Sequence, residues 1–144
     1  MKKIKNTKGF TLMEMLIVVA IIAILIAIAI PTFNSSLNKA KVATDEANIR
    51  SGYASVMADI LDSSDPIPTA GKTFTLKADG SVTGNAANYE TKGKNTDGNL
   101  AIGGIKVGAW EPKKTVTYKV TETDDGYKVE ISVGGTPAPA PSEP

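Results

Sequence analysis

The chain has 144 residues, 42% hydrophobic and 22% charged, which gives room for one small domain and one further segment. It contains neither cysteine nor histidine, which excludes a disulfide framework, a zinc-thiolate site, a thiol nucleophile and the familiar histidine-based triads. The formal charge of +1 is unevenly placed: setting aside Lys2, Lys3, Lys5 and Lys8 from 16 basic residues leaves 12 against 15 acidic ones, a mildly acidic body.

The first element follows those four lysines. In residues 10–30 the only polar side chains are Thr11 and Glu14. A helix of that length rises about 31 Å, which matches the hydrocarbon thickness of a bilayer, about 30 Å. Lysines before the run and none inside it predict a topology with the N-terminus in the cytoplasm and the body outside. A secretory signal peptide would have a shorter apolar stretch, and Ala27-Ile28-Ala29 imitates its cleavage site. Neither that reading nor a plain signal anchor gives a reason for Glu14. An ionisable group in a membrane span costs roughly 2.5 to 3.5 kcal/mol even on lenient scales, so it marks a function.

Pro31 closes the run. It has no amide hydrogen and crowds the carbonyl of Ala27, so the helix is expected to kink or loosen there. The helical pattern then resumes, with Val42, Ile49, Tyr53, Val56, Met57, Ile60 and Leu61 recurring at threes and fours. Lys39, Lys41, Asp45, Glu46, Arg50 and Asp59 mostly fall elsewhere on the wheel. The stop is expected at Asp62-Ser63-Ser64-Asp65-Pro66, because Pro66 disfavours helical geometry in Asp65. A helix over residues 10–61 would rise about 78 Å, longer than a small globular domain needs.

Beyond Pro66 the texture turns to short strand-like runs punctuated by glycine. Residues 72–78 alternate, with Phe74 and Leu76 on one face, and Asp79-Gly80 is a turn signal. Residues 84–108 read as a long loop with one short strand near residues 100–107. The C-terminal stretch KTVTYKVTETDDGYKVEISV reads as a hairpin. A two-residue turn at Asp125-Gly126 would set Val120 against Ile131 and Tyr118 against Val133, with the apolar side chains on one face. That face, with Phe74, Leu76 and Trp110, is expected to pack on the helical stripe. The predicted fold class is α+β, a long N-terminal helix on a small antiparallel sheet. The tail, GGTPAPAPSEP, has nothing to bury and reads as flexible polyproline-like chain.

At this point the segment KGFTLMEMLIVVAIIAILIAIAIP carries a family resemblance: it resembles the class III signal and N-terminal helix of a type IV pilin. The resemblance is close from Lys8 to Pro31, holds in kind to Leu61, and is only architectural beyond Pro66. It implies cleavage of a basic leader (residues 1–9) by a prepilin peptidase between Gly9 and Phe10, followed by N-methylation of Phe10. It further implies a membrane-spanning and polymerisation helix (residues 10–30), its amphipathic half (31–62), a β-sheet head (63–135) and a free tail (136–144). Glu14 would meet the new ammonium at Phe10 of a neighbouring copy, a pair far stronger in a low dielectric than in water. Within one chain, Phe10 and Glu14 also stand at i and i+4. The chain departs from many pilins in lacking a C-terminal cysteine pair, which removes the usual disulfide-bounded loop.

The implied partners are further copies of the chain, the peptidase, an assembly platform with minor pilins, and membrane lipid before assembly. Direct nucleic-acid binding is not expected, since Arg50 is the lone arginine and Lys113-Lys114 the densest basic pair. No cofactor or metal is expected either, because Asp124-Asp125-Gly126 lacks the ligand spacing of a calcium loop and is read as turn chemistry. Two other readings stand beside the pilin: a pseudopilin of a type II secretion or competence system, and an anchored enzyme or binding domain, for which no site residues are found.

Overall fold

The computed structural model describes residues 9–62, 66–84 and 89–135. Lys2, Lys3, Lys5 and Lys8 of the expected leader, the expected tail from residue 136, and Ser63 to Asp65 at the expected helix stop lie outside the described residues. The chain divides into two compact units, with the boundary between Leu37 and Asn38.

Helix α1 runs over Leu12–Asp62 and contributes to both. In the first unit its apolar side chains are exposed among the described residues, from Leu12 at 78% to Ile30 at 55%. Pro31 sits inside the helix without ending it, and the Thr32 hydroxyl donates to the Ile28 carbonyl at 3.1 Å. Such back-bonding gives a threonine a local partner where the ladder is weakest.

In the second unit the later turns of α1 lie on an antiparallel sheet of order β2-β1-β5-β6. Its strands are β1 (Lys72–Leu76), β2 (Val82–Thr83), β5 (Val116–Thr123) and β6 (Gly126–Val133). β3 (Leu100–Ile102) and β4 (Ile105–Val107) form a separate two-stranded sheet. Residues 100–107 are therefore a hairpin and not the single strand expected, because Gly103 and Gly104 take positive φ and reverse the chain between two three-residue strands whose outer apolar side chains alternate with Ala101 and Lys106.

The core joins Ile49 and Val56 of the helix to Phe74, Leu76, Val116, Tyr118, Val120 and Ile131 of the sheet, with Trp110, Val107 and the β3–β4 hairpin closing one side. The buried helical positions are Asp45, Ile49, Gly52 and Val56, a spacing of four, three and four. Gly52 is required there. A methyl group in its place would collide with the Tyr118 hydroxyl and reach 2.7 Å from Leu76 Cδ1. Its absence lets Tyr118 lie against the helix and donate to the Ile49 carbonyl at 2.8 Å.

Two expectations for this unit need correction. Leu61, placed on the stripe by its spacing, is 83% exposed, because the packed face ends one residue earlier at Ile60. The hairpin register also differs: Thr123 pairs with Gly126, Val120 with Val129 and Tyr118 with Ile131. The turn is thus Asp124-Asp125, and Asp125-Gly126 is not its centre. A slide of two residues keeps every side chain on its own face, so alternation alone does not separate the two registers. Gly126 still carries the special conformation, with φ at 134° just after the turn.

Candidate functional site

The N-terminal site is built by the sequence Gly-Phe-Thr-Leu-Met-Glu. Gly9 and Phe10 are exposed and precede the helix, Phe10 at 79%. Thr11 is the N-cap: its hydroxyl accepts from the Glu14 amide at 3.3 Å, while the Glu14 carboxylate accepts from the Thr11 amide at 3.0 Å. This reciprocal pair is a capping box, which satisfies two of the amides that a helix start leaves unpaired. The signal was present in the sequence as Thr-x-x-Glu before an apolar run, and the sequence reading passed over it. Glu14 thus has a partner inside its own chain, although not the Phe10 position at i−4. The scissile junction proposed by the resemblance stands one residue ahead of the cap, outside the hydrogen-bonded helix.

A second polar centre lies in the other unit, and sequence reasoning missed it. Asp45, expected on the solvent side, is completely buried. Its Oδ1 accepts from the Tyr89 hydroxyl at 2.6 Å and the Lys92 amide at 2.9 Å. Its Oδ2 accepts from the Gly93 amide at 2.8 Å and from Trp110 Nε1 at 3.3 Å. A buried carboxylate needs such donors in place of water. Asn48 donates to the Tyr89 oxygen at 3.1 Å, and Asn38 exchanges two bonds with Lys94, amide to Oδ1 at 2.9 Å and Nδ2 to carbonyl at 3.0 Å. Gly93 is needed at this approach, since a Cβ there would stand 2.6 Å from the Val42 nitrogen of α1.

The far side of the same loop is tied to residues 110–115. The Thr91 and Lys114 backbones meet at 2.9 Å, and Asn95 and Trp110 exchange two bonds, both of 2.9 Å. Burial, and secondarily the bond to Asp45, pushes the Tyr89 hydroxyl up from 10.0 to about 12. Tyr118 is raised too, chiefly by burial. With four donors on its lone pairs, Asp45 has no open position for a ligand and acts as an anchor. Among the described residues no group of three or more acidic side chains is placed to hold a metal ion. Asp124 and Asp125 make the hairpin turn and are exposed.

An exposed apolar helix with a capped start, whose later turns pack on a small antiparallel sheet, defines an α+β protein built around one long N-terminal helix. The prokaryotic N-terminal methylation motif matches residues 4–30. The type IV narrow pilus major component of Thermus thermophilus is 40% identical over 82 residues, 55% of this chain and 67% of that protein. The type IV major fimbrial protein of Dichelobacter nodosus is 41% identical over 87 residues, 60% of this chain and 48% of that protein. The type IV major alpha-pilin of Moraxella bovis is 37% identical over 60 residues, 42% of this chain and 38% of that protein. The chain thus spans two thirds of the first relative and less than half of the other two. No solved structure matches it. On these similarities and its fold, the chain belongs to the type IV pilin family.

Proposed function

We propose that this protein is a non-enzymatic structural subunit of a type IV pilus, polymerising with further copies through its N-terminal helix. Before assembly the subunit sits in the cytoplasmic membrane, N-terminus in and head out, with lipid covering the apolar run. A prepilin peptidase removes residues 1–9 between Gly9 and Phe10 and N-methylates Phe10. An assembly platform and minor pilins then draw the subunit into a surface filament that serves adhesion, twitching, biofilm formation or DNA uptake. The observation that carries this reading is the capped helix start at Thr11 and Glu14, directly after the Gly9-Phe10 junction and ahead of an apolar surface that is exposed among the described residues.

Cleavage converts the Phe10 amide into an ammonium. In a filament core Glu14 is the counter-charge available to that ammonium on a neighbouring copy, each ion being costly if left alone. Pro31, without an amide to offer, is where the helix loosens as copies pack. Mass analysis of sheared surface material tests the reading. A chain starting at methylated Phe10 in long filaments is the expected result. Retention of the leader, a start near Ile30, or confinement to short periplasmic assemblies would refute it, the last in favour of a pseudopilin.

A further inference from the structure

In the sequence the lysines are scattered, but the fold collects six of them at one end of the second unit. Asn38 is bonded to Lys94, and Gly93 presses on the backbone at Lys41 and Val42, so Lys39 and Lys41 of α1 lie beside Lys92 and Lys94 of the loop. Thr91 is bonded to the backbones of Lys113 and Lys114, which adds two more. All six are exposed. Among the described residues only Lys94 of the six has an ion pair, with Glu111 at 2.8 Å. Set against Glu46, Glu90, Asp97, Glu111 and the buried Asp45 of the same segments, the six lysines leave this end about one charge positive, with six exposed ammonium groups against the three exposed carboxylates of Glu90, Asp97 and Glu111.

The other end of the unit has the opposite sign. The helix and β5 advance together: Tyr118 bonds to Ile49, and Lys72, paired in register with Val120, bonds to Asp59 at 3.0 Å. Beyond these points come Asp62 at the helix end and Glu122, Asp124 and Asp125 at the hairpin tip, all exposed and without an ion pair among the described residues. Two large apolar side chains are exposed at this end, Leu61 at 83% and Tyr127 at 50%. The eight residues of β5 separate the two ends by about 26 Å.

Like charges gathered at one end with the complementary charges gathered at the other are a head-to-tail device. We infer that the lysine end of one subunit's head docks on the acidic hairpin tip of another copy of this chain. The lysine stems cover Leu61 and Tyr127, and the ammonium groups face Glu122, Asp124 and Asp125. Such a contact joins two different patches, so it propagates and does not close into a dimer. It rests on the pilus reading above and adds to it a second, head-level contact with a stated polarity.

The test uses the full chain in cells making filaments. Lys92→Glu with Lys114→Glu, and separately Asp124→Lys with Asp125→Lys, should each lower sheared filament yield by about tenfold or more, since like charges face each other at every repeat. Combining all four should restore yield to within about threefold, with leader removal and membrane abundance unchanged throughout. Because the chain has no cysteine, Lys92→Cys and Asp124→Cys in one chain allow a short bismaleimide to join neighbouring subunits, giving a ladder of oligomers from intact filaments. Normal yield from both reversals, or intact filaments with no ladder, overturns the docking and leaves the pilus reading standing. Loss of membrane abundance with the lysine reversal alone overturns it in favour of anionic lipid headgroups. An unsubstituted chain that forms no filaments overturns the pilus reading itself.

Discussion

Glu14 has two partners to account for, and a pair of substitutions separates them. In the chain it closes the capping box with Thr11 through bonds of 3.0 and 3.3 Å, both exposed. Losing such a cap costs about 0.5–2 kcal/mol, here toward the lower end because water can replace the lost partner. In a filament it would face the Phe10 ammonium of a neighbour, and removing one member of a buried pair costs about 3–5 kcal/mol. At about 1.4 kcal/mol per tenfold, the second effect weakens each subunit contact by roughly two to three and a half orders of magnitude. Glu14→Val removes both partners, whereas Glu14→Gln keeps a side chain able to close the box and removes only the charge. Both variants should insert and lose their leader normally, Val slightly more easily since an expensive group is gone from the span. Both should give few or no filaments in cells making only the variant chain. The assay compares leader removal by mass, membrane abundance and sheared filament yield. Normal filaments from Glu14→Gln beside failure of Glu14→Val would refute the charge-docking argument and leave the helix cap as the reason for the glutamate.

Four further outcomes are expected on the full chain in detergent micelles. Asp45→Ala strands the Tyr89, Lys92, Gly93 and Trp110 donors, so it should cost about 3 kcal/mol or more, read by denaturant unfolding with Trp110, the single tryptophan, as reporter. Gly52→Ala should destabilise by about 1–3 kcal/mol, even though alanine is the better helix former, because its methyl group meets Tyr118. Adding Tyr118→Phe, which removes the colliding oxygen, should cost less than the two single changes summed. Gly126→Val should lower the unfolding midpoint through backbone strain alone, about 1–3 kcal/mol, since φ is 134° and no atom lies within 4 Å of the new Cβ. Finally, Tyr89 and Tyr118 are held neutral above their ordinary range. Their contribution to stability is complete below pH 10 and is lost as pH climbs from 10 toward 12, an alkaline decline that Tyr89→Phe should flatten.

The N-terminal half was legible in the sequence because its determinants are local. Twenty-one residues with two polar members, a proline at the end and basic residues ahead of them follow one another along the chain. The α+β class was legible too, since a three-and-four spacing followed by alternating strands leaves few ways to bury both faces. Only the tertiary structure decided Asp45. An acid within an apolar stripe reads as solvent-facing until donors arrive, and these come from Tyr89, Lys92, Gly93 and Trp110, 44 to 65 residues away. Only the structure decided the hairpin register as well, because the pleat repeats every two residues and a slide of two leaves every face unchanged. The two charged ends arise in the same way: lysines spread over residues 39–114 become neighbours when the loop anchored on Asp45 is folded back on the helix.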